Sequence, residues 1–228
     1  MKSEDNSHFE IEVLNPDIDY ADLTYKIIII GDSGVGKSCL TIQAIENKFV
    51  DYNVTVGFEI KPFNIRINKL IIKLQIWDTC GQEVYRSLIN GLYRNSSLAI
   101  ILYSVTNKNS FQHIESWLKD VRLNALKNVK TILVGNMIDL EKERKISYTE
   151  GENFKNKYNL DYFIETSAKT GDNAKNVLIE AAKILYRQYI TMKDKEENKK
   201  EENENNLHIL DKEKNEEKKI VNKKKKCC

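Results

Sequence analysis

Residues Gly31 to Ser38 read G-D-S-G-V-G-K-S and follow directly on the apolar run Tyr25-Lys26-Ile27-Ile28-Ile29-Ile30. This stretch constrains the fold more than any other, because such a glycine loop needs a strand to deliver it and a helix to receive it. Glycines let successive backbone N–H groups curl around an anion, and a helix starting near Lys37 aims the positive end of its dipole at the same charge. Ser33, Gly34, Val35, Gly36, Lys37, Ser38 and Cys39 are therefore candidate phosphate-binding residues. Lys37 reaches for the outer phosphates, and the hydroxyl of Ser38 suits a magnesium ion bridging them. An ordinary glycine turn would leave the flanking strand and helix without a reason.

Apolar runs alternate with amphipathic stretches from residue 25 to 190, the pattern of an α/β fold with a sheet covered by helices on both faces. Strands are expected over Lys26–Ile30, Glu59–Ile67, Leu70–Trp77, Leu98–Val105, Thr131–Gly135 and Asp161–Ile164. Only Asn68-Lys69 separates the second from the third, a hairpin signal, so the sheet is six-stranded and mostly parallel with one antiparallel strand. Helices are expected over Lys37–Asn47, Ser110–Leu126, Thr149–Lys157 and Asn173–Tyr189. Residues 1–24 read as an acidic arm, in which Glu4, Asp5, Glu10, Glu12, Asp17, Asp19 and Asp22 face Lys2 alone. Residues 25–192 form the domain, and 193–228, rich in Lys, Glu and Asn, read as a solvated tail, with a fraying helix of i,i+4 pairs as the alternative.

No apolar run approaches the ~18 residues of a membrane span, and Met1–Ser7 is too polar for a secretory signal, so a cytosolic origin is expected. Cys39, Cys80, Cys227 and Cys228 show no zinc or disulfide spacing. The lysines are dispersed or confined to the tail without an aromatic platform, so nucleic acid is not an expected partner.

The remaining chemistry sits after the strands. Leu74-Gln75-Ile76-Trp77-Asp78-Thr79-Cys80-Gly81-Gln82 ends a buried strand in an acid suited to a magnesium shell, a glycine whose N–H can approach a terminal phosphate, and a glutamine able to orient the attacking water. Val134-Gly135-Asn136-Met137-Ile138-Asp139 and Glu165-Thr166-Ser167-Ala168-Lys169 follow two later strands. Alone, each reads as a polar turn. Beside the phosphate loop they read as a base-recognition device, since a carboxylate accepting two N–H donors from a purine edge selects guanine over adenine.

From Tyr25 to Tyr189 the set resembles the Ras superfamily of small GTPases, a P-loop NTPase fold, and within it the Rab family. The Rab likeness rests on W-D-T-C-G-Q-E at Trp77–Glu83, on Leu92-Tyr93-Arg94 before a strand, on Glu165–Lys169, and on the terminal Cys-Cys. The resemblance implies GTP and GDP as substrate and product, Mg2+ as cofactor, Gln82 as the catalytic residue, and metal ligation by Ser38, Thr55 and Asp78. Gly81 joins the phosphate-binding residues. Phe49, Asn136, Met137, Asp139, Ser167, Ala168 and Lys169 enclose the guanine, and Gly57-Phe58-Glu59-Ile60 reads effectors. It further implies a monomer with slow, GAP-stimulated hydrolysis, cycling in vesicle traffic with a GEF, a GAP, effectors, a Rab escort protein and GDI as partners. Prenyl groups on Cys227 and Cys228, helped by Lys218, Lys219 and Lys223–Lys226, would hold it on the cytoplasmic face of an endomembrane compartment, with a cytosolic pool.

Three positions depart from the pattern. Met137 stands where the family has lysine in Asn-Lys-x-Asp, keeping the apolar stem but losing the donor, so weaker nucleotide binding with retained guanine preference is expected. Cys80 replaces the usual alanine, and the segment Phe49–Thr55 is one residue shorter than is common. These departures define the competing reading, a guanine-nucleotide-binding scaffold with impaired hydrolysis. A P-loop ATPase or nucleotide kinase is disfavoured by Asp139 and by the lack of an arginine-rich lid.

Overall fold

The computed structural model describes residues 9–50, 57–79 and 91–198. Among them, β1 (Ile11–Val13), β2 (Leu23–Ile30), β3 (Phe58–Ile67), β4 (Leu70–Thr79), β5 (Leu98–Ser104), β6 (Lys130–Asn136) and β7 (Tyr162–Thr166) form one sheet in the order β1-β3-β4-β2-β5-β6-β7. β2 pairs in parallel with β4 and β5, and β6 joins β5 to β7 in the same sense. β3 alone runs against its neighbours, antiparallel to β4 through the Asn68–Lys69 turn and antiparallel to β1. Ile27 to Ile30 are fully or almost fully buried, as a central parallel strand covered on both faces requires.

The α/β class stands, with seven strands where six were expected. The added strand lies inside the acidic arm, where three alternating residues are too short a pattern to read without knowing the edge that receives them. The arm is fixed to that edge by side chains as well as by the ladder. Asn64 on β3 is buried, and its amide donates to the carbonyls of Asn15, Pro16 and Ile18 at 3.1, 3.1 and 3.4 Å. Glu12 pairs with Arg66 across the strands, and Asp22 accepts from the Ile71 N–H at 2.7 Å. Pro62, which has no N–H, lies where β3 has β4 alone beside it, a position a sheet edge tolerates.

Helix α1 (Lys37–Glu46) packs against β4. The single helix expected from Ser110 onward is two, α2 (Lys108–Gln112) and α3 (Ile114–Asn124), interrupted at His113. Ile114, Trp117, Leu118 and Val121 of α3 enter the core cluster with Ile28, Ile30, Ile101 and Leu133 of the sheet. Helix α4 (Tyr148–Tyr158) begins in a reciprocal capping box between Ser147 and Glu150. Helical residues 174–185, here α5, bury Val177, Leu178, Ala181 and Leu185.

The chain divides into two units, the first ending at Leu185 and the second beginning at Tyr186. In the second, residues 186–198 are helical, so Lys193 to Asn198, read as solvated tail, take the helical alternative, with Lys193 and Glu197 at i,i+4 and 3.9 Å.

Replacing Asn64 removes the buried donor that the Asn15, Pro16 and Ile18 carbonyls share. Asn64→Ala is expected to lower stability by about 1 to 3 kcal/mol in denaturant titrations. It should also speed proteolysis within residues 9–20, the region the arm anchor holds.

Candidate active site

Because β2, β4, β5, β6 and β7 are parallel, their carboxyl ends share one edge. The register aligns Ile29 with Asp78, Ile30 with Ile101, Ser104 with Asn136, and Asn136 with Thr166. The phosphate loop, Asp78, the Asn136–Asp139 segment and the Ser167–Lys169 segment all leave that edge, whereas Leu92–Arg94 precede β5 at its opposite end.

The phosphate loop is shaped by two close approaches. A Cβ on Gly31 (φ 140°) would meet the Leu102 carbonyl oxygen at 2.3 Å, and one on Gly36 (φ 90°) would meet the Asn136 side-chain nitrogen at 2.4 Å. Gly36 also opens α1, so the loop ends at a helix N-terminus with its N–H groups unspent on a side-chain cap. Lys37 is buried and its ammonium donates to the carbonyls of Gly31 at 3.0 Å and Asp32 at 2.8 Å, which holds the positive charge over the loop. The Cys39 thiol donates to the Val50 carbonyl at 3.3 Å, tying the start of α1 to the segment that carries Phe49.

On the base side, Asn136 is 1% exposed, and both its amide nitrogen and its oxygen are bonded. Its amide nitrogen donates to the Val35 carbonyl at 2.9 Å, while its oxygen accepts from the Thr166 hydroxyl at 3.0 Å and the Ala168 N–H at 3.1 Å. It therefore fastens the phosphate loop to the β7 loop. Ser167 donates to Asp139 at 2.6 Å, which orients the carboxylate expected to read guanine, and accepts from the Thr170 N–H at 3.1 Å. Met137 adopts a left-handed backbone (φ 72°), and its methyl carbon comes within 3.7 Å of where a Gly36 side chain would begin. Its sulfur accepts from the Ser104 hydroxyl at 3.2 Å. The end of the side chain thus lies beside the phosphate loop, held by a partner the sequence did not reveal. Phe49 and Lys169 are exposed. Thr55, Cys80, Gly81, Gln82, Cys227 and Cys228 lie outside the described residues.

Asp78 closes the metal side. It is 2% exposed, and its Oδ1 is buried with no hydrogen-bond partner. Thr79 fixes the strand end by donating to the Ile29 carbonyl at 2.7 Å. Burial pushes the Asp78 carboxyl up to about 6, against the opposing pull of the Ser38 hydroxyl and the Lys37 charge. A buried, unpartnered carboxylate oxygen beside a serine hydroxyl fits magnesium, a hard cation that takes few protein ligands and completes its shell with water and phosphate. No group of three or more His, Cys, Asp or Glu occurs among the described residues, so a cage made of protein alone is not offered there.

Two residues at the site escaped the sequence reading. Asp32 is one of the unassigned positions of the G-x-x-x-x-G-K-S pattern, and Ser104 lies inside the expected strand Leu98–Val105. Each acquires its role from a partner distant in sequence, Trp117 and Met137 respectively, and only the sheet register of Ser104 with Asn136 could have hinted at the second.

The raised carboxyl gives a signed pH dependence. Asp78 binds its proton more tightly in the folded protein than in the unfolded chain, where it titrates near 3.9, so stability falls as pH rises from about 4 through about 6. In metal-free, nucleotide-free protein, Asp78→Asn is expected to raise the melting temperature at pH 7.5, an effect on the order of 2 to 3 kcal/mol, and to leave it unchanged near pH 4. Excess Mg2+ and GDP should reverse the order at pH 7.5, because the parent alone keeps the ligand.

A glycine loop suited to phosphate, a buried acid suited to magnesium, and a carboxylate suited to a purine edge thus converge on one strand edge. Residues 26–187, well over half of the chain, match the family model described as Ras family, and the chain belongs to that family of small GTPases, which bind GTP and GDP and hydrolyse GTP.

Proposed function

We propose that this GTPase is a Rab-type switch that recruits effectors in vesicle traffic. The observation that carries the reading is an apolar surface one residue from the magnesium side of the site. Phe58 stacks on Trp77 with ring centroids 5.2 Å apart, and Phe58 and Ile60 are 51% and 46% exposed. Trp77 precedes Asp78 in β4, and Phe58 pairs with Thr79. A rearrangement at the phosphate site is therefore transmitted by one short hairpin to a surface that a partner can cover.

In this reading Lys37 and the loop N–H groups bind the phosphates, and Asp139 with the Ser167–Lys169 loop reads the guanine. Ser38, Thr55 and Asp78 hold Mg2+. When bound, the ion neutralises charge on the phosphates and polarises them. Gln82 orients water, with hydrolysis slow until a GAP completes the charge stabilisation. The carboxyl-terminal Cys227-Cys228 and its lysines supply two lipid anchors and a basic patch, which together suffice for stable attachment to an endomembrane. Between membrane visits, an escort protein and GDI cover the lipids. Met137 keeps its stem on the loop, which favours a working switch over a scaffold with impaired hydrolysis.

Three measurements test this reading. Gln82→Leu is expected to lower GTP hydrolysis at least tenfold while leaving GDP affinity within about twofold, read by single-turnover phosphate release. Met137→Lys should release GDP more slowly, by about five- to thirtyfold if one charged hydrogen bond is gained; release as fast as the parent's would refute the role given to this side chain. Native protein should carry two prenyl groups by mass spectrometry and sediment with anionic vesicles, and unmodified Cys227 and Cys228 would remove the anchor.

A further inference from the structure

We propose that His113 and Trp117 are positioning residues for nucleotide retention, acting on the phosphate loop through Asp32; the proposal rests on reading that loop as the phosphate site. Asp32, the second residue of the loop, is bonded in two directions. Its main-chain carbonyl accepts from the Lys37 ammonium at 2.8 Å. Its carboxylate accepts from the Trp117 indole N–H at 2.8 Å through Oδ1, and from His113 Nδ1 at 2.7 Å through Oδ2. Since a carboxylate only accepts, the imidazole carries its proton on Nδ1 in this contact.

Both donors belong to a rigid part of the molecule. Trp117 is buried in the core cluster with Ile28, Ile30 and Leu118, so its N–H stands on packed sheet and helix rather than on a loop. His113 lies at the junction of α2 and α3, where its own N–H bonds the Asn109 carbonyl at 3.0 Å. The interruption of the helix coincides with the residue that reaches the loop.

The arrangement solves an electrostatic problem. A carboxylate in a loop that binds a polyphosphate repels its ligand, and it also tempts the neighbouring lysine into a local ion pair. Here the side chain of Asp32 accepts from two N–H donors on the α2–α3 segment, while its neutral carbonyl accepts from Lys37. The same two bonds fix the backbone that aims Lys37. Removing either donor frees the carboxylate to turn toward the lysine, which loosens phosphate binding without touching the hydrolytic residues.

The test is release of fluorescent GDP from the full-length protein with Mg2+ and excess unlabelled GDP, alongside melting temperatures and single-turnover hydrolysis of bound GTP. Trp117→Phe keeps an aromatic ring, though a smaller one, and deletes the N–H, and His113→Leu deletes the other donor. Each is expected to speed release about three- to tenfold, the scale of one lost hydrogen bond, with hydrolysis of bound GTP within about twofold of parent. His113→Asn, whose amide again offers an N–H, should restore slow release. Val121→Ala, buried on the same helix, should lower the melting temperature and leave release unchanged. Release rates that simply track melting temperature across the four variants, or His113→Asn as fast as His113→Leu, would overturn the proposal. A parent that fails to retain GDP at all would instead overturn the phosphate-site reading, and this proposal with it.

Discussion

The side-chain amide of Asn136 is buried and joins two segments that are far apart in sequence: the phosphate loop at Val35, and the end of β7 with the loop after it, at Thr166 and Ala168. A buried amide left half-satisfied costs about 1 to 3 kcal/mol per group, so these loops are held together by the penalty for separating them as much as by the bonds themselves. The site is thereby built before any ligand arrives. Gly36 belongs to the same constraint, because the strut passes through the space a side chain would fill. The residue that looks like a base ligand in the sequence is first a fastener, and the orientation of Asp139 through Ser167 depends on the loop that it fastens.

A second rigid connection runs through the β3–β4 hairpin. Its open end places Phe58 opposite Thr79 and Glu59 opposite Asp78, so the chain on either side of the proposed switch enters the sheet at the same point. Its closed end is gripped by the arm, with Glu10 and Asn68 exchanging bonds across the turn and Asn64 holding three arm carbonyls. The arm's contacts thus lie toward the turn of the hairpin, away from Asp78. Lys26 Nζ lies 4.1 Å from the Trp77 ring centroid, and the exposed Phe58 stacks on the same ring. The arm's anchor and the surface proposed for partners lie toward opposite ends of one element.

Much of this was legible in the sequence. The phosphate loop came with its strand and helix, Asn68-Lys69 announced the hairpin, and uninterrupted isoleucines marked a strand buried on both faces. These signals are local, and the physics that produces them acts within a few residues. What stayed hidden depended on partners supplied by the fold. Ile11–Val13 is a strand because the β3 edge receives it, and the surrounding acids obscured its short alternation. Asp32 matters because Trp117 and His113, on another element, close on it. Helical residues 193–198 lie in a stretch whose composition suits both solvated chain and i,i+4 pairing, and nothing in composition alone decides between them.

The central claim is that this strand edge is a guanine-nucleotide site that turns over. Its most direct test is multiple-turnover phosphate release from GTP by the purified full-length chain with Mg2+, with fluorescent GDP displacement by GDP or ADP measured on the same preparation. The account predicts displacement by GDP but not by a hundredfold excess of ADP, together with slow, sustained release of phosphate. Equal displacement by ADP, or tight guanine binding with no phosphate released even in the presence of a panel of GAPs, would contradict it.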